Sequence, residues 1–201
     1  MKFPKRKLFT LIISFSKDEN NHTLEELSYL INKKVIKSSM VRIIKSKNKI
    51  DLLDNISNNV KQYSGEYDIL FILFSSNGSI DKNRKYVKFY KEKISDYELC
   101  KKMYTNMDIF CTSLCFVDIW NVTSILDFPW QSNIGYVFNL PCRKWYDFYN
   151  PNSYCINICN KNVMFIDIIK KYLNDNYIFD FKILFNILKK ETDKTSIISR
   201  T

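Results

Sequence analysis

Alanine is absent from the 201-residue chain, and it has only three glycines, four prolines and one histidine. Asn, Lys, Ile, Tyr and Phe take their place, a bias of the kind an AT-rich genome imposes, so intrinsic propensities of single residues say little here. Each glycine is worth placing for the same reason: Gly65 and Gly135 fall beside predicted strands, and Gly78 follows Asn77 at the end of another. Long apolar runs are missing. Leu8 to Phe15, behind the basic stretch from Lys2 to Lys7, superficially resembles a secretory leader. The run is short, however, and no small-residue cleavage site follows it. Nothing elsewhere approaches the roughly 20 residues a membrane helix needs. An intracellular, reducing and cytoplasmic setting is the expectation, and the sequons at Asn21 and Asn121 carry little weight in it.

The tight C-x-x-C spacing of a zinc knuckle is missing as well. The six cysteines are Cys100, Cys111, Cys115, Cys142, Cys155 and Cys159. Residues four apart on a strand share a face, so a four-cysteine site can be drawn from Cys111, Cys115, Cys155 and Cys159. Free cysteine ordinarily packs as a small buried hydrophobe, and neither a metal nor a cofactor is expected. The lone histidine, His22, precedes a helix start at Thr23, where nothing sets it beside a nucleophile.

What is present argues for one globular domain. Hydrophobic residues make up 46% of the chain and aromatics 15%, too much apolar surface to stay solvated. Net charge is +10, and the cations cluster. Lys33, Lys34, Lys37, Arg42, Lys45, Lys47 and Lys49 form a run with no acid between them, and a second group runs from Lys82 to Lys93. Such a surface attracts anionic partners, while the plainer reading is a solvated connection enriched in lysine by codon bias. The aromatic group Trp120, Trp130, Trp145, Tyr146, Phe148 and Tyr149 is expected to pack a loop-rich second half.

Patterning predicts alternating strands and helices. Leu8 to Phe15, Met40 to Lys45, Asp68 to Phe74 and Ile109 to Thr112 read as strands. Between them lie a helix with a capping box at Thr23–Glu26, one opening at Asp51, and one with a second box at Ser95–Glu98. Tyr86 to Tyr90 reads as a hairpin arm. Residues 119–133 read as loop, Ile134 to Leu140 and Ser153 to Cys159 as strands, and Phe181, Leu184, Phe185 and Leu188 as the stripe of a final helix. This order predicts a mostly parallel sheet with helices on both faces. Residues 1–191 form the domain, and residues from Thr192 onward form a polar tail expected to be disordered.

Functional groups of such sheets collect at the carboxyl ends of strands. Two predicted strand ends resemble those of the metacaspases, the caspase-like cysteine peptidases. Their S-G-H-G pattern is similar to Ser75-Ser76-Asn77-Gly78, and their I-F-D-S-C-H-S-G pattern to Ile109-Phe110-Cys111-Thr112-Ser113-Leu114-Cys115-Phe116. Ser95-Asp96-Tyr97-Glu98-Leu99 resembles their D-x-E-L helix start, and Ser124-Ile125-Leu126-Asp127-Phe128-Pro129-Trp130 their S-x-L-D-L-P-Y stretch. Asn157 to Val163 resembles a strand ending in S-G-C-x-D-D-Q.

The resemblance implies a caspase-like three-layer α/β sandwich, with Asn77 in the histidine position and Ser113, or in a shifted register Cys115, in the cysteine position. The pocket acids correspond to Cys111 and Lys161. Asparagine has no ionisation near neutrality, and an unassisted hydroxyl is a poor nucleophile. A cation at Lys161 would also repel the Arg or Lys that the family accepts. The expectation is a degenerate peptidase that acts by binding proteins. One alternative is an active enzyme that has moved its nucleophile to Cys115. The other is a basic protein that reuses the fold on nucleic acid or membranes.

Overall fold

A computed structural model describes residues 7–15, 21–34, 40–82, 84–120, 130–133, 136–138, 153–158, 165–175, 187 and 197–200. Its core strand is β1 (Leu8–Ser14), buried along its whole length. A continuous apolar run suits a strand covered on both faces and paired on both edges. β1 pairs in parallel with β2 (Met40–Ile44) on one side and with β3 (Ile69–Asp81) on the other. β3 pairs in parallel with β6 (Thr112–Trp120), and β6 with β9 (Ser153–Ile158). Antiparallel pairs then add β10 (Ile197–Arg200), β7 (Trp130–Asn133) and β8 (Tyr136–Phe138). β4 (Arg84–Phe89) and β5 (Glu92–Ser95) form a hairpin on the end of β3.

Strand alternation divides the interior in two. Phe9, Leu11, Ile13, Leu70, Ile72, Phe74, Cys115 and Val117 pack in one cluster with residues of α2 (Lys49–Ser64) and α3 (Asp96–Tyr104). Leu8, Ile12, Phe71, Leu73 and Phe116 pack in the other with residues of α1 (Asn21–Lys34) and α4 (Phe165–Asp175). Aromatic contacts tie the layers. Phe9 stacks on Tyr63 at 3.8 Å between ring centroids, and Phe71 meets Phe116 edge-on at 4.9 Å. The central strands β2, β1, β3, β6 and β9 form the expected parallel sheet with helices on both faces, and antiparallel strands extend it.

Several boundaries differ from the sequence reading. Ile109 and Phe110 are not strand but turn, and are 60% and 85% exposed. The Asp108 carboxylate accepts the Phe110 N–H at 2.8 Å, and its carbonyl accepts the Cys111 N–H at 3.1 Å. This is a local Asx-type turn that outcompetes the ladder. β6 therefore starts at Thr112 and runs through residues expected to be loop. β3 continues seven residues past Phe74, because its far end enters the hairpin with β4. Ile197–Arg200, expected within a disordered tail, pairs between β9 and β7. The predicted terminal-helix stripe from Phe181 to Leu188 and the stretch from Ser124 to Pro129 lie outside the described residues.

The cap of α3 forms as read. Ser95 Oγ accepts the Glu98 N–H at 3.2 Å, and Glu98 Oε2 accepts the Ser95 N–H at 3.0 Å. Burial alone would raise the Glu98 carboxyl. Hydrogen bonds from Lys49 and Ser95, with the Lys49 charge, outweigh it and hold the carboxyl below its ordinary value. Ser95→Ala should cost about 1 kcal/mol in urea unfolding. A folded-state pKa below the unfolded one contributes stability at neutral pH that disappears as pH falls through the folded value. Glu98→Gln should accordingly lower stability at pH 7 and show a smaller loss than the parent when acidified below the glutamate range.

Candidate functional site

The β3–β6 register locates the expected site residues. Asn77 stands opposite Trp120, at the carboxyl ends of both strands, and is exposed. Ser113 stands opposite Leu70 and Cys115 opposite Ile72. Seven residues separate Ser113 from Trp120, about 23 Å at 3.3 Å per residue, and Cys115 is about 17 Å from that end. The structure therefore does not bring either candidate nucleophile to Asn77. The resemblance sets Ser113 just past a strand running from Ile109 to Thr112, whereas β6 runs from Thr112 to Trp120. With β6 beginning at Thr112, the same residues occupy its amino-terminal half.

Their surroundings are those of core side chains. Ser113 is 0% exposed, with its Oγ lacking a hydrogen-bond partner among the described residues, and Cys115 is 1% exposed. Cys111, just before β6, is buried, and its Sγ contacts the Thr112 carbonyl at 3.8 Å. Burial pushes the Cys111 thiol up to about 12, with Asp108 and Asp68 adding to the rise against a backbone hydrogen bond at Leu70. Cys111 is thus a protonated thiol at neutral pH and cannot serve as a pocket acid. Lys161 and Cys159 lie outside the described residues. Cys115 is the register partner of Cys155 on β9, but no group of three metal-binding side chains occurs among the described residues. His22 lies in the first turn of α1.

The basic residues are distributed over several elements. The run from Lys33 to Lys49 is split by the fold. Lys33 lies near the end of α1, its Nζ 5.5 Å from the Tyr29 ring centroid, and Arg42 donates to Tyr63 Oη at 3.1 Å. Lys45 and Lys49 follow the carboxyl end of β2 and pair with Glu25 at 3.6 Å and Glu98 at 2.8 Å. Exposed Lys47 lies between them, Lys37 is outside the described residues, and Lys34 ends α1. The loop after β2 meets the β4–β5 hairpin, which carries the second basic group. Lys49 Nζ donates to the Lys93 carbonyl at 3.1 Å, and Tyr90 Oη to the Ser46 carbonyl at 3.0 Å. Tyr90 makes the β4–β5 turn with φ 52°, a left-handed conformation unusual without glycine, and its ring packs on Phe89 at 4.4 Å. These ties bring two basic segments, more than 30 residues apart in sequence, to one end of the sheet.

No family model matches the chain, and no curated protein does. Among solved structures it is similar to the Drosophila initiator caspase Dronc, with a TM-score of 0.63, over 96% of this chain and 79% of that one. The chain has a caspase-like fold. At 6% identity the likeness concerns the fold and not the chemistry. It agrees with the parallel order β2-β1-β3-β6-β9 and the helices on both faces. In the caspase-like arrangement anticipated from the sequence, a histidine and a cysteine come from the two strand ends. Here those ends carry Asn77 and Trp120. The sequence contains no cysteine between Phe116 and Pro141, so no thiol follows β6 in the chain until Cys142. No described helix is long and apolar enough to cross a membrane.

Sequence reasoning missed the face of the β3–β4–β5 ribbon. The available signal was the alternation in Arg84-Lys85-Tyr86-Val87-Lys88-Phe89, which buries Val87 and Phe89 and exposes Arg84 and Lys88. If Ser113 is a core residue and not a relic of a nucleophile, Ser113→Ala should leave stability unchanged or raise it by up to about 1 kcal/mol, since a buried hydroxyl without a partner is a cost. Urea denaturation checks this, and a loss of more than about 1 kcal/mol would contradict it.

Proposed function

We propose that this caspase-fold chain, of metacaspase kinship, is a catalytically inactive peptidase homologue that acts by binding protein partners. The observation that carries the reading is the pairing of Asn77 with Trp120 at the strand ends, joined to the absence of any cysteine from Phe116 to Pro141. A cysteine peptidase needs a thiolate and a base within hydrogen-bond reach of one another. Asn77 ionises as neither acid nor base. The cysteines nearest in sequence before the strand end, Cys111 and Cys115, are both buried. The competing reading, a nucleophile moved to Cys115, requires a thiol 1% exposed to reach a base about 17 Å along the sheet.

The purified protein is expected not to hydrolyse Arg- or Lys-containing reporter peptides, with or without calcium, nor a reporter library randomised before the scissile bond. General acid–base help is commonly worth about 10²–10⁴ in rate, Asn77 cannot supply it, and both Cys111 and Cys115 are buried. Asn77→His combined with Ser113→Cys should remain inactive, because the two positions are separated along the sheet. Wild-type turnover that vanishes on Cys115→Ala would replace this reading with the relocated nucleophile.

A further inference from the structure

The β3–β4–β5 ribbon has two unlike faces. Val87, Phe89 and Ile94 point into the core, each 1% exposed or less. The opposite face follows from the register. Asp81 pairs with Arg84, and Ser79 with Tyr86, which pairs with Ser95 on its other side; Lys88 pairs with Lys93. Extending the β3–β4 register by one residue sets Asn77 level with Lys88, and Ser76 Oγ donating to the Lys88 carbonyl at 2.8 Å agrees with that placement. Lys93 Nζ lies 5.6 Å from the Tyr86 ring centroid, which confirms that both belong to the outer face.

The row Asn77–Lys88–Lys93 therefore sets two lysines directly across from each other beside the strand end. Like charges in that relation destabilise a sheet. Neither lysine forms an ion pair among the described residues. Ser79 Oγ, one row away, is buried without a hydrogen-bond partner among the described residues. The exposed like-charged pair is the arrangement an incoming anion would relieve.

We infer that this face, centred on Lys88 and Lys93 beside Asn77, docks an acidic segment of a partner protein. On this face the carboxylate in the ladder is Asp81, which closes the Arg84 end of the patch, while Glu92, the partner of Phe89, belongs to the other face. A long uniform polyanion such as nucleic acid would run over Asp81, whereas a short Asp- or Glu-rich stretch can end before it on the two lysines. The outer edge of β5 does not offer a free strand template, since Lys49 Nζ occupies the Lys93 carbonyl and Glu98 the Ser95 N–H. Recognition is thus by side-chain charge on the face, not by strand addition. The inference rests on the reading of the chain as a binding protein and supplies the chemistry of its partner.

The test uses fluorescence anisotropy on the full chain with a labelled Asp/Glu-rich peptide, its Asn/Gln counterpart and an oligothymidylate of equal length. The acidic peptide should bind best and weaken with salt. Lys88→Gln with Lys93→Gln should weaken it by roughly tenfold, and Lys33→Gln should not. Lys88→Glu with Lys93→Glu should bind a Lys-rich peptide instead, a gain that misfolding cannot mimic. Lys88→Glu alone should raise the thermal midpoint while lowering peptide affinity, since it turns a repulsive cross-strand pair into an attractive one. Acidic-peptide binding that is absent, or unchanged by the Lys88 and Lys93 substitutions, would overturn the inference. So would tighter oligothymidylate binding lost with the same substitutions. Cleavage of the acidic peptide would overturn the inactive reading and leave the docking face standing.

Discussion

The geometry at the strand ends depends on how β3 divides its backbone between two partners. From Ile69 to Asn77 it is locked in parallel to β6, and from Gly78 to Asp81 it turns to β4. Backbone donors and acceptors in a buried sheet must be paired, and a slip of one residue would send every side chain to the wrong face. Leu70, Ile72 and Phe74 meet α2 and α3 while Phe71 and Leu73 meet the opposite layer, so no other register satisfies both sides. Asn77 falls at the fork between the two pairings. Its neighbours on either side, Trp120 and Lys88, are therefore fixed by the packing of residues far from it.

That fixity is what separates the fold from the chemistry. A caspase-like sheet can hold Ser113 and Cys115 without using them, because at their depth they contact only core. Ser113 even leaves its hydroxyl without a hydrogen-bond partner among the described residues. The strand end, by contrast, contributes little to the core and is free to change. Asn77 and the exposed lysines beside it leave the core intact, since Val87, Phe89 and Ile94 hold the hairpin from its inner face.

Features whose cause is local were legible in the sequence, and those whose cause is distant were not. The apolar runs of β1 and β3 and the Ser95–Glu98 capping box are set by neighbouring residues, and all three formed where expected. Ile109 and Phe110 have strand-like side chains, but one carboxylate at Asp108 folds them into a turn, and this shifted the start of β6 by three residues. The far end moved further, because β6 runs on to Trp120 where a strand end at Thr112 was expected, and this places Ser113 inside the strand and not at its end. β10 was invisible because Ile197 and Ile198 find their partners in β9 and β7, about 40 and 65 residues earlier, and pairing over such distances leaves no local trace. The turn at Tyr90 lacks the Asn-Gly signal of a tight hairpin, so the ribbon face that follows from it was not foreseen either.

The Lys88–Lys93 pair is the one feature of the strand end that the fold does not explain. Lysine is abundant throughout the chain, and four of the described lysines, Lys45, Lys49, Lys102 and Lys170, pair with a carboxylate. Compositional drift alone places cations on the surface without regard to their cross-strand neighbours. Here two of them face each other on a ribbon where any neutral residue would be less repulsive, and where the inner face already secures the structure. A repulsion that packing does not need is offset most simply by an anion from outside the chain. The end of the sheet that, in the resembled peptidases, is used for cleavage carries here Asn77, Trp120 and this pair of lysines, and the docking of an acidic segment proposed above is the reading that accounts for them together.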